Sequence, residues 1–301
     1  MNPHDTRVQA VIAAHPRLAL PIGTECPVIF SSTEPVYRVA KQACVALGFI
    51  EPDAECVAQA WQRLFERTGR FDPAVWPDEP ADFGLNPWPA PIAFPACPKK
   101  LGLYAVLPDA AWVARMARAG VPTVQLRFKS DDQGAIEREV RAAVEAVRGT
   151  EALLFINDHW QAAIAAGAYG VHLGQEDLED LHVADLGQIR AAGLRLGLSS
   201  HGYAEMLRAD AFSPSYIALG AVFPTTLKRM VTAPQGTGRL ATYARLMRNY
   251  PLVAIGGIDG SALPVVLASG VGSVAVVRAL VTAEHPEAAA ASLQAAISAR
   301  N

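Results

Sequence analysis

GLYAVLPDAAWVARMARAGVPTVQLRFK, residues 102–129, sets two short apolar runs on either side of one helical stretch. GLYAVL (102–107) and TVQLRF (123–128) have the length and near-continuous apolar character of strands buried on both faces, and the helix between them makes the pair parallel. The same unit recurs downstream. TVQLRF is followed by DQGAIEREVRAAVEAVRG (132–149), ALLFIND (152–158) by WQAAIAAG, GVHLG (170–174) by LHVADLGQIRAAG, and RLGLSS (195–200) by YAEMLRADAF. YIALGAV (216–222) precedes TGRLATYARLMRN, PLVAIGG (251–257) precedes SALPVVLASG, and SVAVVRAL (273–280) precedes HPEAAAASLQAAISAR. Gly120, Gly149, Gly167 and Gly270 close helices where a left-handed cap is wanted. Eight strand–helix units close into a (β/α)8 TIM barrel. An open doubly wound sheet needs fewer strands, and no G-x-G-x-x-G follows the first strand.

Outward from this core, residues 73–100 change character. Eight prolines (Pro73, Pro77, Pro80, Pro87, Pro89, Pro91, Pro95 and Pro98) remove backbone donors and disfavour helix. The stretch reads as a semi-extended linker that packs through Trp76, Phe83, Trp88 and Phe94. Before it, residues 1–72 read as a helical extension. PVYRVAKQACVAL and DAECVAQAWQRLFER carry apolar residues at helical spacing, with Asp53 expected as the N-cap of the second. The barrel is expected over residues 101–301.

With 301 residues, 51% hydrophobic and 18% charged, the chain is too apolar to be disordered. A net charge of −3 argues against a protein that coats nucleic acid. No stretch of about 18 to 20 residues is free of charge and proline, so no membrane span is expected. The N-terminus lacks a signal-peptide core, and a cytoplasmic protein is expected. Cys26, Cys44, Cys56 and Cys97 form no metal-binding pattern and read as reduced structural thiols.

In such a barrel the C-terminal strand ends and the loops after them build the site. Gln125, Arg127 and Lys129 alternate along strand two and share the face that points into the mouth. Strand three brings Asn157 and Asp158. Strand four is followed by His172, Gln175, Glu176 and Asp177, and strand five by Ser199, Ser200 and His201. Pro224 to Arg229 follow strand six, Gly256-Gly257 strand seven, and Val277-Arg278 strand eight. Arg127, Lys129, Lys228 and Arg278 together are costly to gather without an anion, and a guanidinium fork beside an ammonium suits phosphate oxygens. The alternative is an ion-pair network with Asp158, Glu176 and Asp177. Asp158 and Asp177 suit Mg2+ completed by phosphate oxygens and water; otherwise Asp177 caps a helix and Asp158 pairs with Arg127. His159, His172 and His201 lack metal-triad spacing and receive no proton-transfer role. The long segment Phe223–Arg239 is expected to be a mobile lid.

QLRFK (125–129), FINDHW (155–160), AYGVHLGQEDL (168–178), GLSSH (197–201), ALGAVFPTTLK (218–228), AIGGI (254–258) and SVAVVRAL (273–280) occur in an order that resembles the thiamine phosphate synthase family. The resemblance covers residues 101–299. It implies a transferase that joins hydroxymethylpyrimidine diphosphate to a thiazole phosphate and releases diphosphate, with Mg2+ and a dissociative course. It implies that Gln125, Arg127, Lys129, Asn157 and Lys228 bind the pyrimidine diphosphate, with Ser199 beside it. Arg127, Lys129, Lys228 and Ser199 would carry the catalysis. Leu126 and Phe128 belong to the same substrate-binding segment, although Phe128 alternates away from the mouth. Asp158 and Asp177 match the magnesium ligands, and Thr225, Gly257, Val277 and Arg278 the thiazole phosphate site.

The sequence departs from the family at Phe128, where an acidic residue is common, at Leu227, where threonine is usual, and at Arg278, where serine is usual. The guanidinium of Arg278 is expected to offset the lost hydroxyl, since charged donors are about twice as strong. A thiazole tautomerase or a non-catalytic sensor of thiazole phosphate remain the alternatives, and the joint presence of Arg127, Lys129, Asp158, Asp177 and Lys228 argues against both. Partners are expected to be small molecules, with homo-oligomerisation left open. ACVALGFIEPDAECVAQAW (43–61) resembles the C-terminal helices of hydroxymethylpyrimidine phosphate kinase, but no Gly-rich phosphate loop accompanies it, so no kinase activity is assigned.

Overall fold

The computed structural model describes residues 3–21, 27–225 and 232–299. Strands β1 (Gly102–Leu107), β2 (Thr123–Leu126), β3 (Leu153–Asn157), β4 (Gly170–Leu173), β5 (Arg195–Ser200), β6 (Tyr216–Leu219), β7 (Leu252–Ala254) and β8 (Ser273–Val276) pair in sequence order and close on themselves. Each pair is parallel, with β1 also bonded to β8 in the register Tyr104↔Ala275. The helices that follow the strands are α4 (Ala110–Arg118), α5 (Gln133–Ala146), α6 (Trp160–Ala166), α7 (Gln175–Asp180), α8 (Val183–Ala191) and α9 (Tyr203–Asp210). They continue with α10 (Gly236–Leu246), α11 (Leu263–Leu267), α12 (Arg278–Val281) and α13 (Pro286–Ser298). The expected barrel is therefore the observed one, and Gly120, Gly149, Gly167 and Gly270 all adopt positive φ.

Most strands stop short of the expected segments, and at two of them the shortfall moves site residues onto loops or helices. β2 ends at Leu126, so Arg127 and Lys129 stand on the loop beyond it, although the Arg127 N–H still bonds the Leu107 carbonyl. β8 ends at Val276, and Arg278 opens the helical turn α12 instead of extending the strand.

Strand parity divides the core in two. Tyr104, Val106, Phe155, Tyr216, Ala218, Val253 and Ala275 fill the barrel, while Leu103, Ala105, Val124, Leu126 and Ile156 face the helices. The rings inside need space, and Gly197 on β5 provides it: a Cβ there would lie 2.1 Å from the Tyr216 ring. Any side chain at this position would overpack the barrel.

Helices α1 (Pro3–Ala14), α2 (Pro35–Ala46) and α3 (Glu51–Thr68) form the extension, and its apolar residues merge into the helix-facing core of the barrel. The proline-rich segment packs as well. Trp76, Phe83 and Phe94 are buried, Trp88 packs on Tyr250, and the Trp76 indole donates to the Tyr203 hydroxyl at 2.9 Å. Asp53 corrects its expectation. Helix α3 begins at Glu51 after Ile50, and the buried Asp53 carboxylate accepts instead from the Ala204 N–H at 2.9 Å. It thus caps α9, whose own N-cap is Gly202 and supplies no side chain.

Arg239 enters from the other direction. Only 2% exposed, it donates to the carbonyls of Leu18 and Leu47, both at 2.9 Å, and lies 3.6 Å from the Phe49 ring centroid. It belongs to α10, so Gly236 to Arg239 of the segment expected as a lid are helical; residues 226–231 of that segment lie outside the described residues. Cys44, Cys56 and Cys97 are free thiols, Cys44 is buried, and burial holds Cys56 and Cys97 up at about 12; Cys26 lies outside the described residues. No described helix is long and apolar enough to cross a membrane.

Candidate active site

The C-terminal mouth of the barrel is a cavity of about 860 Å3. Gln125, Arg127, Lys129, Asn157, Asp158, Asp177, Ser199, Thr225, Gly257, Val277 and Arg278 all line it, so eleven loop and strand-end residues singled out in the sequence meet in one place. The size and mixed lining suit small-molecule binding. Lys228 and Leu227 lie outside the described residues. Leu126 and Phe128 require correction as substrate-binding side chains. Both pack with the helix-facing core, because a strand turns alternate residues to opposite faces.

The charged wall is built from β2, β3 and β4. Asp158 follows β3 at φ 63°, in the left-handed region that non-glycine residues enter at a cost, and its N–H is held by the His172 carbonyl at 3.0 Å. Its carboxylate accepts from Lys129 Nζ at 2.6 Å, so its cationic partner is Lys129 rather than the Arg127 of the alternative reading. Asp177 stands in the first turn of α7, and its carboxylate reaches back to the Gly174 N–H at 2.6 Å. It therefore performs the capping contact of the second alternative. It lines the same cavity as Asp158 and feels its charge. Burial first and the Asp158 charge next raise its pKa, against the Gly174 N–H.

The opposite wall is backbone. At Gly257, φ is 65°, and a Cβ would lie 2.6 Å from the Pro224 carbonyl oxygen. Only glycine lets the β7 loop lie this close to the Pro224-Thr225 segment. Val277 and Arg278 close this side of the mouth, with Arg278 exposed.

Beneath the charged wall runs a polar chain that the sequence reading did not assemble. Gln125 Nε2 donates to the Tyr104 hydroxyl at 3.0 Å, the Tyr104 and Tyr216 hydroxyls are 2.7 Å apart, Tyr216 reaches His172 Nδ1 at 2.7 Å, and His172 Nε2 lies 2.9 Å from Ser199 Oγ. Burial pushes the His172 pKa down to about 4, opposed by Asp158 and aided by Arg127. Tyr104 and Tyr216 occupy inward positions of β1 and β6, and that parity was the available signal. His201 bonds Glu205 at 2.6 Å and His159 meets the Phe128 carbonyl at 3.0 Å, so both histidines have local partners.

The family model for thiamine monophosphate synthase matches residues 103–280. The chain belongs to the thiamine monophosphate synthase family. A thiamine-phosphate synthase of Neisseria meningitidis serogroup B is 52% identical over 204 residues, which are 68% of this chain and 98% of the relative. One from Yersinia pestis strain Pestoides F is 50% identical over 200 residues, covering 66% of this chain and 92% of that one. Among solved structures, a thiamine phosphate pyrophosphorylase from Pyrococcus furiosus superposes with a TM-score of 0.59 at 27% identity, over 67% of this chain and 98% of its own. The protein is thus a transferase of thiamine biosynthesis, an enzyme of thiamine phosphate synthesis. The extension lies outside the matched residues, and about a third of the chain has no counterpart in these relatives.

Proposed function

We propose that the barrel mouth transfers the pyrimidinylmethyl group of hydroxymethylpyrimidine diphosphate to the ring nitrogen of a thiazole phosphate, with Mg2+. The observation that carries this reading is the joint presence of Lys129 on Asp158, Asp158 facing Asp177, and Arg127 on the same wall. A proton-transfer tautomerase or a sensor has no need of that arrangement.

The carboxylate pair fits a magnesium ion. Burial and the neighbouring Asp158 charge raise the proton affinity of Asp177, a penalty on the doubly ionised pair that a dication relieves. Asp158 and Asp177 would hold the metal, leaving coordination for diphosphate oxygens and water. Held by these two carboxylates, a magnesium ion would supply charge neutralisation for the diphosphate leaving group.

The residues of this chain do the rest. Arg127 and Lys129 draw the diphosphate onto the charged wall, Arg127 through its fork and Lys129 as a point charge. As the methylene C–O bond breaks, negative charge grows on oxygens already facing these cations, which is where fixed charge lowers a barrier. Gln125 and Asn157 hold the pyrimidine side, while Gly257 and Arg278 hold the thiazole phosphate so that its nitrogen meets the carbon in line. Lys228 is assigned to the same diphosphate. The substrates are small molecules, and the expected setting is the cytoplasm.

The test is diphosphate release by the purified full chain with both substrates, with and without Mg2+, beside Asp158→Ala. Magnesium-dependent release coupled to thiamine phosphate, reduced about 10²–10³-fold in the variant, is expected. Thiazole phosphate binding without release under any condition would sink the reading in favour of a sensor.

A further inference from the structure

The polar chain through the barrel has a direction. The Gln125 amide nitrogen carries only donors, so the Tyr104 oxygen that faces it at 3.0 Å must accept. The Tyr104 hydroxyl proton then goes to Tyr216, 2.7 Å away. Tyr216, having accepted, donates to His172 Nδ1 at 2.7 Å. A ring nitrogen that accepts carries no proton, so the imidazole proton sits on Nε2 and is given to Ser199 Oγ at 2.9 Å. Ser199 has then accepted, and its own hydroxyl proton is left for the mouth that it lines.

We infer that Tyr216 and His172 are positioning residues that hold the Ser199 hydroxyl as a hydrogen-bond donor aimed at the bound substrate. This rests on the proposed function for the identity of that substrate, but not for the polarity of the chain. The surroundings support a fixed arrangement. Tyr104, Tyr216 and His172 are buried, so water does not scramble the pattern, and Gln175 Nε2 anchors the Ser199 carbonyl at 2.7 Å. Buried polar groups in a low-dielectric core keep the one arrangement that satisfies all of them. The partners along the chain are 21, 112, 44 and 27 residues apart in sequence, so only closure of the barrel assembles them. Reversing the Gln125 amide would reverse every bond and turn the Ser199 proton inward, onto His172. The substrate would then meet an acceptor instead of a donor.

Two measurements test the inference. The 15N spectrum of the imidazoles in the wild-type full chain, with His172 assigned from His172→Gln, reports which ring nitrogen bears the proton. A proton on Nε2 is expected, and a proton on Nδ1 would overturn the inference whatever the catalytic activity proves to be. The second is a cycle of Tyr216→Phe and Ser199→Ala read as kcat/KM for the pyrimidine diphosphate. Each single change is expected to cost about tenfold, the double no more than either, with the KM for thiazole phosphate unmoved. Additive losses would show that Tyr216 acts by another route and would overturn the relay while leaving the synthase reading intact. An inactive wild-type enzyme with the proton on Nε2 would do the reverse.

Discussion

Replacing Asp53 with asparagine isolates the electrostatics of a cap supplied from outside the barrel. The carboxyl is 3% exposed, and its pKa is pushed from 3.8 up to about 6, first by burial and then by the Glu205 charge, against the Ala204 and Tyr203 N–H groups and Arg239. A shift of about 2 units is about 3 kcal/mol. A raised carboxyl binds its proton more tightly in the folded chain than in the unfolded one. Between about pH 4 and pH 6 the folded state therefore holds more protons, and this group's contribution to stability falls as pH rises. The asparagine amide keeps an oxygen for the Ala204 N–H and cannot ionise. Urea unfolding of both proteins at pH 4, 5, 6, 7 and 8 gives the difference in stability directly. The variant is expected to gain on the wild type by about 3 kcal/mol from pH 4 to pH 6, with no further change above. A carboxylate at a helix N-terminus gains about 0.3–1 kcal/mol, up to about 2 when partly buried, which is smaller than the burial cost. If the difference runs the other way through the same window, the cap and Arg239 outweigh burial and the reasoning is refuted.

Three further outcomes follow from the packing and the charged wall. Arg239→Met leaves the Leu18 and Leu47 carbonyls without their donor and is expected to cost about 3 kcal/mol in urea unfolding; a loss under about 1 kcal/mol would show that water replaces it. Gly197→Ala, whose Cβ would meet the Tyr216 ring at 2.1 Å, is expected to destabilise by about 3 kcal/mol or to prevent folding. Gly187→Ala in α8, with nothing within 4 Å, is expected to stabilise by about 0.5–1 kcal/mol, so equal thermal shifts in the two would contradict the packing argument. Asp177→Asn removes one of the two facing carboxylates, and a titration of diphosphate release against Mg2+ is expected to need about 10–100-fold more metal; an unchanged requirement would place the metal elsewhere.

The barrel was legible because a parallel sheet covered by helices writes apolar strands and helices in alternation, and strands β1 to β8 fall inside the segments that pattern marks. The mouth was legible for a related reason. Period two in β2 places Gln125 inward and carries Arg127 and Lys129 with it, and the same parity sends Leu126 and Phe128 to the helices. Long-range pairs were not legible. Pro52-Asp53 before an apolar periodic stretch has the appearance of a local cap, but the bond that Asp53 makes spans 151 residues and leaves no local trace. Arg239 likewise stands in the sequence only as the end of the expected lid segment, and nothing local marks the Leu18 and Leu47 carbonyls that it reaches. Tyr104 and Tyr216 look like ring filling for the barrel, and only their 2.7 Å approach shows that their hydroxyls form a chain.

The interlock between extension and barrel bears on how such a chain changes over generations. Each of its parts, a glycine at 202, a carboxylate at 53, a guanidinium at 239, is a single substitution that can be acquired while the others are absent. Removal is different. Losing the first hundred codons would at once bare the start of α9, strand a guanidinium without its carbonyls and strip the ring from above it. A lineage that has taken these steps finds the way back much steeper than the way in, so an appendage can become indispensable to an enzyme without touching its chemistry.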